Sequence, residues 1–131
     1  MSQIVVDTDI ASYIFNWHSL AKGYVDALRG SELILSFMSV AELRMGAILA
    51  NWGGRRRYLL EQFVLGFDVV YADDSLCTLW AALRADARTA GWAMSGQDAW
   101  IAATAMALEA PLATNNRRHY DHVPRLRLLS L

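Results

Sequence analysis

Short apolar runs alternate along the chain with longer segments in which apolar residues recur at helical spacing. Short runs bounded by polar or turn residues are typical of buried strands, and the longer periodic segments are typical of helices that pack on one face. This alternation predicts an α/β sandwich in which helices flank a mostly parallel central sheet. The predicted strands are 3–7, 33–36, 68–71, 111–114 and 126–130, and the predicted helices are 9–17, 19–29, 39–51, 55–65, 74–90 and 96–109.

Local signals predict where three of the helices begin or end. Ser39 stands at the start of the third helix with Glu42 three positions later, which is the pattern of a capping box. Gly91 follows the periodic segment that begins at Ser75, and glycine is common just beyond a helix C-terminus. Ser95 precedes the last helix as a candidate N-cap.

Composition and charge narrow the class of protein. The 131 residues are 55% hydrophobic and 19% charged, which suits one domain with a sizeable core. We expect no membrane segment and no signal peptide, because no apolar run reaches about 18 residues and the N-terminus lacks a basic start. Cys77 is the only cysteine, so a reducing cytoplasm is the simplest location. The net charge of −1 argues against a protein that binds nucleic acid by bulk charge alone.

Three acidic residues lie near the ends of predicted elements. Asp7 ends the first strand, whereas Glu42 and Asp98 lie in the first turns of their predicted helices. Because the neighbours of Glu42 and Asp98 at helical spacing are mostly apolar, both should point along core-directed faces. Sites in parallel α/β sheets form beyond the carboxyl ends of the strands. Three carboxylates there, without Cys or His, favour a magnesium or manganese site over a zinc site.

Each of these acids also has a structural interpretation. Asp7 could bond to the following helix N-terminus, Glu42 could be only the capping-box glutamate, and Asp98 could be an ordinary first-turn acid. An unpaired carboxylate on a core-directed face is costly, however, and the three positions are mutually consistent. Together they favour the metal site.

Four segments form an ordered set of motifs: "VVDTDI", "SVAEL", "GQDAWIAATA" and "LATNNRRHYDHVPRLRLL". They resemble the signature blocks of PIN-domain ribonucleases, and most of all the VapC-type toxins of VapBC toxin–antitoxin pairs, over residues 3–130. The resemblance implies a single PIN domain over residues 1–131, with a PIN-like α/β/α sandwich. It also implies the toxin of a type II toxin–antitoxin system, a magnesium-dependent endoribonuclease that cleaves RNA phosphodiester bonds with a metal-activated water.

The resemblance implies that Asp7, Glu42 and Asp98 are the acidic metal-site residues, with Mg²⁺ as the ion and Mn²⁺ as an alternative. One or two of these carboxylates would bind the ion directly, since magnesium keeps several of its waters. The remaining acid could orient the attacking water. The polar neighbours expected to support the site are Thr8, Ser39 and Thr114.

Two further polar positions, Asn116 and Asp9, bear on the charge of the site. The fourth block often reads Thr-x-Asp or Thr-x-Asn, and Asn116 here takes its fourth-ligand or water-positioning role. The site therefore has three acids instead of four, which leaves a second metal ion in doubt. Asp9 stands where the family often has Asn, and its simplest role is at the helix N-terminus.

RNA binding is expected next to Asn116. Arg117 and Arg118 follow it directly, and arginine suits bidentate contacts with phosphate. His119 could stack on a base, whereas Tyr120 is expected to pack the loop onto the sheet. Both arginines are therefore candidate RNA-binding residues.

The resemblance also implies protein partners. An antitoxin of the VapB type would place its C-terminal segment in a groove near the acidic pocket, and the toxin would form a homodimer. Trp17 and Trp52, at predicted helix ends, are the aromatic residues most expected to be exposed.

Three alternatives are weighed against this interpretation. A strand followed by Asp7-x-Asp9 also begins haloacid-dehalogenase phosphatases, but the only lysine is Lys22 and Asp98 lacks an acidic neighbour. A receiver-type phosphoacceptor domain requires a lysine late in the chain, and this sequence has none there. The third alternative is a catalytically weak PIN domain that acts only by binding RNA or an antitoxin, and Asn116 is the residue that keeps it open.

Overall fold

Five strands form one sheet in the computed structural model, which describes residues 2–131. Every neighbouring pair is parallel, and the spatial order is β3-β2-β1-β4-β5. The prediction of a mostly parallel sheet is therefore confirmed. The strands are β1 (Gln3–Val6), β2 (Glu32–Ser36), β3 (Asp68–Val70), β4 (Leu112–Ala113) and β5 (Leu128–Leu129).

In the described part of the chain, six α-helices connect these strands, and a 3₁₀ turn at Arg117–His119 follows β4. Each observed helix overlaps a predicted one, with ends that differ by up to two residues. None of the helices in residues 2–131 is long and apolar enough to cross a membrane. The helices are α1 (Thr8–Phe15), α2 (Ala21–Leu28), α3 (Phe37–Leu49), α4 (Gly54–Val64), α5 (Asp74–Ala90) and α6 (Gly96–Ala107).

The helices cover both faces of the sheet. Successive residues of a strand point to opposite faces, so Val5 and Val6 enter different cores although both are fully buried. Val5 packs in the core formed with α5 and α6, and Val6 packs in the core formed with α1 to α4. The layers are therefore α/β/α, as the sequence predicts.

The start of α3 differs from the prediction. β2 runs into α3 without a loop, so Ser36 is the N-cap and its hydroxyl accepts from the backbone N–H of Met38 at 3.1 Å. Ser39 is instead a buried residue inside the helix, and the predicted capping box of Ser39 and Glu42 is wrong. Glu42 consequently lies beyond the first turn.

The prediction that the neighbours of Glu42 at helical spacing form a core-directed face is also wrong. The buried face of α3 carries Val40, Leu43 and Ala47, whereas Met45 and Leu49 are 54% and 77% exposed. Because this helix also carries apolar residues on its outer side, its sequence pattern does not distinguish the core face. The corresponding prediction for α6 is confirmed, since its residues Ile101, Ala102 and Ala105 are buried.

Two other helix ends are as predicted. Gly91 ends α5 in the left-handed conformation with φ of 79°, which glycine adopts without steric cost. Ser95 is the N-cap of α6 and accepts from the backbone N–H of Asp98 at 3.0 Å. This cap fixes Asp98 in the first turn of α6, facing the end of the sheet where the strands finish.

Candidate functional site

The centre of the site lies where β1 and β4 end side by side. The chain adds strands to one side of β1 and then returns to add β4 on the other, so a crevice opens at this pair. Asp7 follows β1 and is only 5% exposed. Its Oδ2 accepts from the Thr114 hydroxyl at 2.7 Å, and its Oδ1 accepts from the backbone N–H of Thr8 at 2.8 Å. Asp7, and not Asp9, is therefore the N-cap of α1.

Burial makes the charge on Asp7 costly. The pKa of Asp7 rises to about 7, chiefly through loss of hydration and secondly through the negative charge of Asp9. The hydrogen bonds from Thr114 and Thr8 lower the pKa in part, and the charge of Asp98 raises it further. A buried carboxylate near other carboxylates is stabilised when it binds a proton or a cation.

The buried phenol of Tyr120 is hydrogen-bonded to Asp98 and feels the charges of both Asp98 and Asp7. The hydroxyl of Tyr120 donates to Oδ1 of Asp98 at 3.1 Å, and Nδ1 of His119 lies 3.2 Å from Oδ2. Burial and the two carboxylates raise the pKa of Tyr120 well above its usual range. Tyr120 is fully buried, as its predicted packing role requires, but the motif gave no signal of the contact with Asp98.

Glu42 reaches the site through Thr8. The Thr8 hydroxyl lies 2.7 Å from Oε1 of Glu42 and 2.8 Å from the hydroxyl of Ser39. A carboxylate only accepts, so Thr8 donates to Glu42 and in turn accepts from Ser39. Thr8 and Ser39 thus support the position of Glu42, and the residue next to Asp7 in sequence links the two carboxylates.

Asn116 is paired with Asp9. Its side-chain Nδ2 donates to Oδ2 of Asp9 at 2.9 Å, and its backbone N–H donates to the Thr114 hydroxyl at 3.0 Å. Asp9 also serves the start of α1, since its Oδ1 accepts from the backbone N–H of Ile10 at 2.7 Å. Asp9 therefore contacts the start of α1, as predicted, and it also accepts a hydrogen bond from the loop after β4.

Arg117 and Arg118 occupy the exposed 3₁₀ turn that follows Asn116. This turn places two guanidinium groups on the chain directly beside the acidic crevice. Their exposure leaves them accessible to a polyanion.

The donor set of the crevice is suited to a divalent cation. Its carboxylate and amide oxygens are the hard ligands that Mg²⁺ and Mn²⁺ prefer. Within residues 2–131, however, no three Asp, Glu, His or Cys side chains lie close enough together to hold one ion in this conformation. The Oε1 of Glu42 accepts a hydrogen bond from the Thr8 hydroxyl. Since magnesium needs only one or two protein carboxylates, Asp7 and Asp98 still fit such an ion, and a ligand role for Glu42 stays a prediction.

The hydroxyl of Tyr120, which contacts Asp98, is expected to contribute to the free energy of unfolding. We expect Tyr120→Phe to lower the free energy of unfolding by about 1–2 kcal/mol, because the buried hydroxyl and its carboxylate partner lose their hydrogen bond. Urea denaturation followed by circular dichroism measures this change. The matched control is Tyr58→Phe, at a tyrosine that is 61% exposed, and equal stability of the two variants would contradict the expectation.

Comparison with known proteins places this fold and site in a family. A family model described as PIN domain matches residues 4–126. Ribonuclease VapC1 of Haemophilus influenzae (strain R2866) is 24% identical over 124 residues, covering 93% of this chain and 92% of that protein. Toxin FitB of Neisseria gonorrhoeae is 31% identical over 99 residues, covering 71% of each. The crystal structure of VapBC2 from Rickettsia felis, bound to a promoter DNA fragment, matches with a TM-score of 0.86, 22% identity and 98% coverage of both chains. The chain belongs to the PIN-domain family and is a VapC-type member of it.

Proposed function

We propose that this protein is the toxin of a type II toxin–antitoxin pair and a magnesium-dependent endoribonuclease. The observation that carries the proposal is the buried carboxylate of Asp7 at the crevice between β1 and β4, with Asp98 close enough to raise its pKa. PIN-domain ribonucleases generally depend on a divalent metal ion, which accounts for the concentration of negative charge. Mg²⁺ is the ion proposed, and Mn²⁺ can replace it because it takes the same oxygen ligands.

Each side chain of the crevice has a part in this reaction. Asp7 and Asp98 would hold the ion, which when bound lowers the pKa of a coordinated water and offsets charge on the phosphate. Glu42, held by Thr8, would accept a hydrogen bond from the attacking water and orient it. Asn116 would help to position that water, and Tyr120 keeps Asp98 directed into the crevice.

Arg117 and Arg118 would bind the RNA backbone beside the scissile bond. Both follow Asn116 directly and are exposed, so each can contact a phosphate without breaking a packed structure. The low net charge of −1 means that RNA would be held by this local cluster and not by the protein as a whole.

The proposal is tested by mapping new RNA 5′ ends across the transcriptome after the protein is induced. We expect a restricted set of cuts that Asp98→Asn abolishes. Growth arrest without any new 5′ ends would favour the binding-only alternative. Asn116, whose amide is engaged with Asp9, is the residue that supports that alternative.

An antitoxin segment has a suitable groove between the end of α1 and α4. The groove has a volume of about 970 Å³, and its lining includes Phe15, Trp17, Leu59, Arg55 and Arg56. Apolar walls flanked by two arginines suit an amphipathic segment that carries acidic residues. We propose that the VapB-type antitoxin binds here.

Trp17 is the expected anchor of that contact, because its side chain is 84% exposed. We expect Trp17→Ala to weaken antitoxin binding by about 10- to 100-fold, as loss of a central aromatic anchor does in other interfaces. Calorimetric titration with the antitoxin from the neighbouring gene measures this, and RNA cleavage should not change. Tyr71→Ala, at a tyrosine that is 71% exposed and outside the groove lining, is the control. Equal affinities for the two variants would place the antitoxin elsewhere.

The proposal includes a homodimer and a cytoplasmic location, where the RNA substrate is found. The outer side of α3 offers an apolar surface, since Met45, Ile48 and Leu49 are 54%, 61% and 77% exposed. We take residues 1–131 as a single PIN domain whose dimer would cover this surface. Light scattering on the wild type and on Leu49→Arg measures the oligomeric state.

A further inference from the structure

Asp9 uses both carboxylate oxygens to join α1 to the loop after β4. Its Oδ1 accepts from the backbone N–H of Ile10 at 2.7 Å. Its Oδ2 accepts from the backbone N–H of Asn115 at 3.1 Å and from Nδ2 of Asn116 at 2.9 Å. Three donors therefore converge on one half-buried carboxylate.

An amide at position 9 cannot make the same contacts. Asparagine has one accepting oxygen and one donating nitrogen, whereas all three partners of Asp9 are donors. Whichever way the amide is turned, its NH₂ group faces either the N–H of Ile10 or the two donors of the loop. The three donors thus require a carboxylate at position 9. This requirement is separate from the favourable interaction of a negative charge with the helix N-terminus.

The loop is held from its other side by α2. The buried hydroxyl of Tyr24 donates to Oδ1 of Asn115 at 2.8 Å. The backbone of Asn115 is consequently fixed through Asp9, while its side chain is fixed through Tyr24. The next residue, Asn116, has an exposed side chain whose direction depends on Asp9.

We propose that Asp9 is a positioning residue of the cleavage site, which holds Asn115 and Asn116 at the mouth of the crevice through its two carboxylate oxygens. This inference rests on the proposed ribonuclease function. Asp9 also adds a fourth negative charge to the pocket, since its charge is the strongest neighbouring charge acting on Asp7. The amide of Asn116 and the carboxylate of Asp9 thus form one hydrogen-bonded pair.

Asp9→Asn tests the positioning role without a large change in shape. We expect the amide hydrogen of Asn115 to exchange about tenfold faster, measured by NMR, because it loses its acceptor. We expect the cleavage rate constant to fall about 10- to 100-fold with little change in KM, since the amide of Asn116 loses its position while both arginines are still present to bind the RNA backbone. Asp74→Asn, at an exposed acid in the first turn of α5, is the matched control and should change neither quantity.

The reciprocal exchange Asp9→Asn with Asn116→Asp separates a positioning role from general destabilisation. It restores the amide–carboxylate pair and the charge of the pocket, so cleavage should recover about tenfold over Asp9→Asn, while the N–H of Asn115 still faces the new amide and exchanges fast. Unchanged amide exchange in Asp9→Asn, or no recovery in the exchange variant, would overturn the proposal. Absence of cleavage by the wild type would instead refute the ribonuclease function, and the amide exchange would still report whether Asp9 holds the loop.

Discussion

Asp98→Asn is expected to reduce RNA cleavage by about 100- to 1,000-fold while the protein stays folded. The substitution removes one of the two carboxylates that fit a divalent ion but keeps an oxygen that can accept from Tyr120. The cap from Ser95 to the backbone of residue 98 does not depend on the side chain, so α6 should begin at the same residue. The loss should therefore appear in the rate constant and in metal affinity, with an unchanged circular dichroism spectrum.

The matched control for this variant is Asp86→Asn. Asp86 is an exposed acid on α5, outside the crevice, and its substitution removes the same charge. Initial rates on a labelled single-stranded RNA, at saturating magnesium, compare the two variants with the wild type. If Asp98→Asn kept activity within about threefold of the control, Asp98 would have no part in metal binding.

Asp7→Asn is expected to make the metal-free protein more stable at about pH 8, although it removes activity. The pKa of Asp7 is raised from 3.8 to about 7, so the folded state holds this proton over a pH range in which the unfolded state has lost it. The contribution of Asp7 to stability is therefore greatest at low pH and falls as the pH rises from about 4 to about 7. Above that range the ionised carboxylate costs on the order of 4 kcal/mol, which an amide does not.

Thermal unfolding with and without magnesium measures this expectation. Without the ion, the difference in free energy of unfolding between Asp7→Asn and the wild type should be small at about pH 4 and reach a few kcal/mol at about pH 8. Magnesium should raise the melting temperature of the wild type and leave the variant unchanged, since binding to the folded state stabilises it. A variant less stable than the wild type at every pH would show that the Thr114 and Thr8 hydrogen bonds outweigh the burial of charge.

The sequence predicted the parts of the site that depend on strand and helix position. Asp7 follows a short apolar strand, and Asp98 follows a serine N-cap on a helix whose core face is continuous. Both signals are local, and the parallel topology then places the ends of β1 and β4 together. The α/β/α layers followed from the same alternation of strands and helices.

The features that sequence reasoning missed depend on contacts between distant segments. The capping-box pattern predicts Glu42 in the first turn of its helix, but β2 joins α3 at Ser36 without a loop and the helix begins earlier. The bond from Thr8 to Glu42 spans 34 positions and the bond from Asn116 to Asp9 spans 107, so neither leaves a local pattern. The contact of Tyr120 with Asp98 was missed for the same reason.

The exposed apolar residues show a second limit of pattern analysis. Trp17 is exposed, as predicted, whereas Trp52 is half-buried against Phe15, and the centres of the two stacked rings are 5.5 Å apart. A hydrophobic residue just beyond a helix end can pack or protrude, and which it does depends on how the neighbouring helices are arranged. Periodicity within one helix does not specify that arrangement.

The most direct test of the central claim is cleavage of single-stranded RNA by the purified, antitoxin-free wild-type protein, first in magnesium and then in excess chelator. We expect defined cleavage products in magnesium, none in chelator, and recovery of the same products when magnesium is returned. Identical products with and without chelator would contradict a metal-dependent site at Asp7 and Asp98. No products under either condition would contradict the endoribonuclease function itself.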